Sequence, residues 1–516
     1  MNTSIPPSRA LLLVILIWAA IYLPGLGTLE IKGEEGRRIL PAVTMLQTGN
    51  YIVPQVGSDP YFSKPPLVNW LIAASFEIFG KRNEWAARLP SVLCVLAVAI
   101  AFVTVARGSL GPSGSLIGAI VWMTNFGMIE KGRLIEIEAL YVSLCGLAFI
   151  YWLSWWQERR SPWLTWIVPW IFLGLGLLAK GPLQLVFFYA VILAVLYRAG
   201  ELRALLHPAH LAGIVLMLGV FAAWAIPCLQ IMQGGGVTDA WARQFSGRLS
   251  GEDFKLSGWL MNIPRGLGYF LPWVVLLLFA KGALARKEPA NVERRTPNLE
   301  RRTTEGLSDI LPNSTFNVQR STFDVQSGLL WGIALSFLGV SLLPGSLARY
   351  TMPLLVPAAW LTAMLLSANQ IGMPGWLQLR RPTAFPAELR LSAITAAIVC
   401  IAIALYAFAA MPFLRKREKV RNIAAEINAS IPAAVPLYAV DPDYQPFLFY
   451  VRDPIMYLRR VTDAPATAHY LLVQARDEAL VAESNHWHPQ RARPILRVKD
   501  YRKKEVTVFE VSKPSD

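Results

Sequence analysis

The densest polar chemistry in the chain lies in the segment Glu30-Ile31-Lys32-Gly33-Glu34-Glu35-Gly36-Arg37-Arg38. Two adjacent carboxylates beside two guanidiniums combine groups that can move a proton with groups that can hold an anion. The same residues also suit a solvated turn beside a membrane. Downstream stand Tyr61-Phe62-Ser63-Lys64-Pro65-Pro66-Leu67 and Glu84-Trp85-Ala86-Ala87-Arg88-Leu89-Pro90. The Pro-Pro pair fixes the entry to an apolar helix and holds Lys64 at headgroup level, where lysines also snorkel for no catalytic reason. Arg133-Leu134-Ile135-Glu136-Ile137-Glu138 opens an apolar run. Residues two apart do not share a helix face, so one glutamate is expected to face the bundle interior and the other water or headgroups. An ionisable group just inside a membrane span is a functional candidate, because inserting it is costly. Lys180-Gly181-Pro182 reads as a tight turn between two apolar runs, and Ser346-Leu347-Ala348-Arg349-Tyr350 starts a late one.

These residues need a frame, and the composition says which kind. The chain has 516 residues, of which 54% are hydrophobic and only 16% charged. A soluble domain carries about 25% charged residues, so an ordinary cytosolic enzyme is disfavoured. The formal charge of +15 would suggest nucleic acid in a soluble protein; in a membrane protein it points to basic loops and lipid phosphates. No nucleic-acid partner is expected. Eighteen Trp and sixteen Tyr fit interfacial belts. Four cysteines lie singly in apolar runs, and five histidines show no ligand spacing beyond His486-Trp487-His488, so no metal site is expected.

About eleven charge-free apolar runs, from 10–29 to 391–414, are long enough to suggest membrane helices. Run 39–58 is also charge-free but reads as a loop because of Gln47, Gly49, Asn50 and Pro54. Run 65–76 suits a short interfacial or re-entrant helix. With a cytoplasmic N-terminus, the first run is an uncleaved helix, and basic residues such as Arg107, Arg159 and Arg160 lie inside. The motifs above then map together to the outer face. Residues 281–327 are polar, with heptapeptide near-duplications, and read as a disordered cytoplasmic loop. Residues 415–516 read as a small α/β domain, with a helix near 420–429 and strands near 435–440, 470–473, 495–498 and 506–511. Asp441-Pro442-Asp443 in that tail has the spacing of a metal-binding pair but reads as a turn.

The ordered set Glu34-Glu35-Gly36-Arg37, Tyr61 to Leu67, Glu84 to Pro90, Lys180-Gly181-Pro182 and Leu347-Ala348-Arg349-Tyr350 resembles the lipid A aminoarabinose transferases. It is similar also to their wider relatives, the polyprenyl-phosphate-sugar glycosyltransferases related to protein O-mannosyltransferases. The resemblance spans roughly residues 1–365 and implies a C-class glycosyltransferase fold. That fold would be polytopic, with about 11–13 transmembrane helices over residues 1–414, a catalytic first periplasmic loop at 27–88 and the outer α/β domain at 415–516. It implies Glu34 as the catalytic residue at the position where the family carries Asp. It implies Arg37, Tyr61, Lys64, Glu138, Arg349 and Tyr350 as substrate-binding residues. Glu35 and Lys180 complete the expected substrate-binding set. Arg38 stands where the family usually has Tyr, Ser63 where it has Glu, and Ser346 where it has Lys.

The implied reaction is an inverting transfer of a sugar from a polyprenyl-phosphate donor to a lipid A-like glycolipid, without cofactor or metal. It would take place at the outer face of the bacterial inner membrane, among membrane lipids. A protein hydroxyl is the alternative acceptor. A transporter or flippase of lipid-linked substrates is the reading from another class. The absence of paired halves and the gathering of ionisable groups at one face weigh against it.

Overall fold

A computed structural model describes residues 5–233, 236, 238, 241–242, 254–279, 314–368, 387–483, 492–500 and 503–511. The first helix, α1 (Pro7–Tyr22), is fixed to the bundle by its aromatic residues: the Trp18 indole donates to the Val92 carbonyl at 2.8 Å and the Tyr22 hydroxyl to the Met123 carbonyl at 2.9 Å. A short turn of 3₁₀ helix (Gly33–Glu35) leads into α2 (Gly36–Thr48). This corrects the loop expected over 39–58. The apolar positions Ile39, Leu40 and Val43 are buried, and the polar breakers lie at the end of the helix and beyond it. A two-residue hairpin, β1 (Gln55–Val56) with β2 (Asp59–Pro60), precedes α3 (Leu67–Phe79).

The bundle continues with α4 (Glu84–Thr104), α5 (Arg107–Thr124), α6 (Phe126–Lys131), α7 (Ile137–Gln157), α8 (Pro162–Ala179), α9 (Leu183–Ala199) and α10 (Pro208–Ile231). The short helices α11 (Leu256–Leu260) and α12 (Asn262–Tyr269) follow, then α13 (Ser314–Ser341), α14 (Leu355–Ser367) and α15 (Ala387–Leu405). Among the described residues seven segments are long and apolar enough to cross a membrane, and Pro7–Tyr22, Leu67–Phe79 and Leu183–Ala199 are shorter apolar helices. Among the described residues several apolar runs are not continuous α-helices. Helix α5 breaks at Gly111, whose φ of 71° precedes Pro112, and Trp273–Phe279 is 3₁₀. Of the expected disordered stretch, residues 281–313 lie outside the described residues, whereas Ser314 onward is helical. There α13 packs on α9 through Gly328 and Gly332: a Cβ at either would come within 2.6 Å of the Val195 or Val191 Cα. Small residues one turn apart let the two backbones touch, as membrane helix pairs require.

After α16 (Met411–Arg415) and α17 (Val420–Ser430) comes a five-stranded sheet in the order β4-β3-β5-β7-β6. Strands β3 (Leu437–Val440), β4 (Ile455–Leu458) and β5 (Tyr470–Gln474) are parallel, while β6 (Ala492–Lys499) and β7 (Glu505–Val511) pair antiparallel. Strand β4 was not expected from sequence; it is only four residues long and begins directly after Pro454. The sheet domain is not a loose appendage. Phe447, Leu448 and Phe449 join the same buried apolar cluster as the helices of the bundle, and Phe449 stacks on Phe76 of α3 with centroids 6.2 Å apart.

Candidate functional site

The acidic motif after α1 is held by a buried clamp. Glu35 is 3% exposed, and both its oxygens accept from Arg88 of α4, with Nε–Oε1 and Nη2–Oε2 at 2.9 Å. The Ile135 amide also donates to Oε1 at 3.0 Å. Arg88 donates its remaining N–H groups to the carbonyls of Leu26, Leu29 and Glu30 at 2.9–3.2 Å. A buried carboxylate is tolerated only when its charge and lone pairs are matched in this way. The clamp ties the motif to α4 and to the segment before α7. Arg133 adds a strut from that segment, donating to the carbonyls of Ile21 and Pro24.

With Glu35 fixed, its neighbour Glu34 faces outward. Its side chain is 45% exposed and pairs with Arg37 at 3.2 Å, one turn on. Arg37 lies 3.8 Å over the ring of Tyr444 and donates to its hydroxyl. Gly36 permits this approach, because a Cβ there would sit 2.7 Å from the Tyr444 carbonyl oxygen. Arg38 donates to the Tyr61 hydroxyl at 2.7 Å. Lys64 is half-buried three residues later, in the turn before α3.

The third group comes from α7 and from the segments at Lys180 and Arg349. Glu138, 6% exposed in the first turn of α7, pairs with Lys180 at 3.1 Å and with Arg349 at 3.3 Å. Lys180 lies about 5 Å from the ring centroids of both Tyr141 and Tyr350. Burial pushes the Lys180 ammonium down, and the Glu138 carboxylate opposes that shift. Glu136, the companion of Glu138, pairs with Lys131 at 3.2 Å. Burial holds its carboxyl above the usual range, with Lys131 working against it. The expectation that one glutamate of the pair faces water therefore gives way: each is matched to its own lysine.

The groups form one electrostatic unit. Arg349 feels the charges of Glu34 and Glu136 as well as Glu138, and Lys180 feels Arg38. Five separated segments thus bring Glu34, Arg37, Arg38, Tyr61, Glu138, Lys180, Arg349 and Tyr350 together, and Glu35 supports them from beneath. Such a cluster, cation-rich with one exposed carboxylate, can hold a phosphate and orient a hydroxyl or second phosphate beside it. Among the described residues no group of three His, Cys, Asp or Glu is placed to hold a metal ion. Asp441 pairs with Arg476, and the His486-Trp487-His488 segment lies outside the described residues.

Sequence reasoning gave no role to Arg88, Glu30, Tyr444 or Tyr450. Glu30 caps α17, accepting from the amides of Lys419, Val420 and Arg421 at 2.8–3.2 Å. Tyr450 donates to Glu84 at 2.8 Å and accepts from the Ile31 amide at 2.7 Å. These contacts join the sheet domain to the acidic motif across some 400 residues of sequence, so nothing local signals them.

Residues 63–226 match a family model described as dolichyl-phosphate-mannose-protein mannosyltransferase. An undecaprenyl phosphate-α-4-amino-4-deoxy-L-arabinose arabinosyl transferase from Pseudomonas fluorescens is 26% identical over 287 residues, 52% of this chain and 49% of the relative. A transferase of the same name from Pseudomonas aeruginosa is 29% identical over 254 residues, 47% of this chain and 45% of the relative. The chain spans about half the length of the curated relatives it matches. The crystal structure of apo ArnT from Cupriavidus metallidurans superposes with a TM-score of 0.66 at 14% identity, covering 97% of both chains. The same protein bound to undecaprenyl phosphate gives 0.63 at 16% identity, again covering 97% of both chains. At these identities the structural likeness speaks for the fold, and the fold is the C-class architecture. Motif order, the family match over residues 63–226 and the fold together make the chain similar to the polyprenyl-phosphate-sugar glycosyltransferases.

Proposed function

We propose that the protein transfers a sugar from a polyprenyl-phosphate donor to a lipid A-like glycolipid at the outer, periplasmic face of the bacterial inner membrane. The observation that carries this reading is the gathering of Arg37, Arg38, Lys180 and Arg349 around Glu34 and Glu138 at one end of the helix bundle. An incoming lipid phosphate competes with Glu34 for Arg37. Loss of that 3.2 Å pair turns the Glu34 carboxylate toward the acceptor, which it orients or deprotonates. The acceptor oxygen attacks the anomeric carbon from the face opposite the leaving group, so the configuration inverts. Lys64, Arg37 and Arg349 stabilise the negative charge gathering on the departing phosphate. Glu138 holds Lys180 and Arg349 in place, while Tyr61 and Tyr350 line the approach. No step calls for a metal, and transfer by the purified protein is expected to continue unchanged in excess EDTA.

A protein hydroxyl is a second acceptor, favoured by the description of the matching family model. Mass spectrometry of envelope glycolipids and glycoproteins from cells with and without the gene separates the two. A sugar lost from a glycolipid supports the first reading and one lost from a protein the second. No change in either class contradicts both.

A further inference from the structure

The bundle carries a cavity with charged groups in its lining at the ends of α4 and α7, opposite the site described above. It measures about 570 Å³ and is lined by Thr104, Val105, Arg107, Gly108, Pro112, Trp155, Glu158 and Arg160. Both flanking helices end here after crossing the bilayer, so the cavity lies at the level of the lipid headgroups. Three features of its chemistry point to an anion. Arg107 is held through Nη2 by the Ile5 carbonyl at 2.6 Å, and its buried Nη1 has no partner among the described residues. An unmatched buried donor of a charged group costs more than a neutral one, and an anion is the group that relieves it. The break at Gly111 starts a fresh helical segment at Pro112, which places the positive end of that segment at the cavity wall. Arg160, with its side chain 58% exposed, reaches solvent while Glu158 accepts from its Nε at 3.0 Å. Two guanidiniums against one carboxylate leave the cavity a net positive charge. Trp155 adds an indole of the kind found at the bilayer interface.

We propose that this cavity is a binding site for the phosphate headgroup of an anionic phospholipid, seated between Arg107 and Arg160 with its acyl chains along α4 and α7. Basic pockets between the ends of membrane helices recognise lipids in this way. The site does not depend on the transferase reading, and it lies on the other face from the reaction.

The test uses the full-length protein in detergent, titrated with phosphatidylglycerol, phosphatidylcholine or inorganic phosphate and followed by native mass spectrometry. Phosphatidylglycerol is expected to bind saturably and about tenfold more tightly than phosphatidylcholine, the scale of one charge-assisted hydrogen bond. Arg107→Gln is expected to remove that preference. Arg160→Gln, at an exposed position that folding tolerates, is expected to weaken it several-fold should Arg107→Gln fail to fold. Arg203→Gln, exposed outside the cavity, is expected to leave it unchanged. Equal binding of the two lipids, or wild-type preference in both Arg107→Gln and Arg160→Gln, overturns the proposal. Full displacement of the lipid by inorganic phosphate at equal concentration overturns it too, since it would reduce the site to a simple anion hole.

Discussion

Glu34 and Glu35 are adjacent and chemically identical, yet the fold gives them opposite work. Glu35 accepts two bonds from Arg88 and two from the backbone amides of Lys32 and Ile135, whereas Glu34 shares its charge with a partly exposed Arg37. The first is a fastening, and the second is the reagent we propose. Removing one partner of a buried, fully bonded pair costs about 3–5 kcal/mol, so Arg88→Met is expected to lower the thermal midpoint strongly. A wild-type midpoint for that variant in a thermal unfolding scan would refute the fastening role. Glu136 supplies a pH-dependent test. Its folded carboxyl titrates above the unfolded value, chiefly through burial. Ionising it therefore costs stability, and that cost grows as pH rises from the unfolded toward the folded value. Glu136→Gln is expected to be more stable than wild type at pH 7, with the difference shrinking as pH falls through the carboxylate range. A difference that widens at acid pH would contradict it. The sequence showed both glutamate pairs as chemistry but not which member was spoken for. That distinction depends on Arg88, Lys131, Lys180 and Arg349, which reach them from other helices.

Among the elements, α2 carries Arg37 and Arg38 into the site and touches the sheet domain at the same turn. Gly36 makes that contact possible: a methyl group there meets the Tyr444 carbonyl at 2.7 Å, and neither backbone can yield cheaply. Gly36→Ala is expected to cost about 1–3 kcal/mol of stability and to loosen Arg37 from the Tyr444 ring. The check is a lower thermal midpoint together with a raised KM for the lipid-linked donor. An unchanged KM would show that Arg37 does not need this support. Helix α2 itself was misread from sequence because Gln47, Gly49 and Asn50 mark its end, not its absence. In the sheet domain, by contrast, short runs of apolar residues announced β5 and β7 well, since consecutive residues of both strands are buried and the two pair with each other. Strand β4 was silent: four residues show no clear alternation, and its parallel pairing with β3 is a non-local fact.

At the scale of the whole molecule, a thinly charged chain concentrates its ionisable groups at the two ends of a helix bundle. One end holds the candidate transfer site under a sheet domain that shares its apolar core, and the other holds the cavity around Arg107 and Arg160. The convergence of separated motifs on one face was legible in sequence, because apolar runs between them fix which ends meet. The closure of that face by Tyr444 and Tyr450 was not, since those contacts join segments some 400 residues apart. The central claim is that Glu34 acts on the acceptor while the cations hold the donor. It is tested most directly by Glu34→Gln in the purified protein, with lipid-linked donor binding and sugar transfer measured side by side. The account predicts donor affinity within about twofold of wild type and transfer slowed by about a hundredfold or more, the range of a lost acid–base group. Wild-type transfer by Glu34→Gln would contradict it.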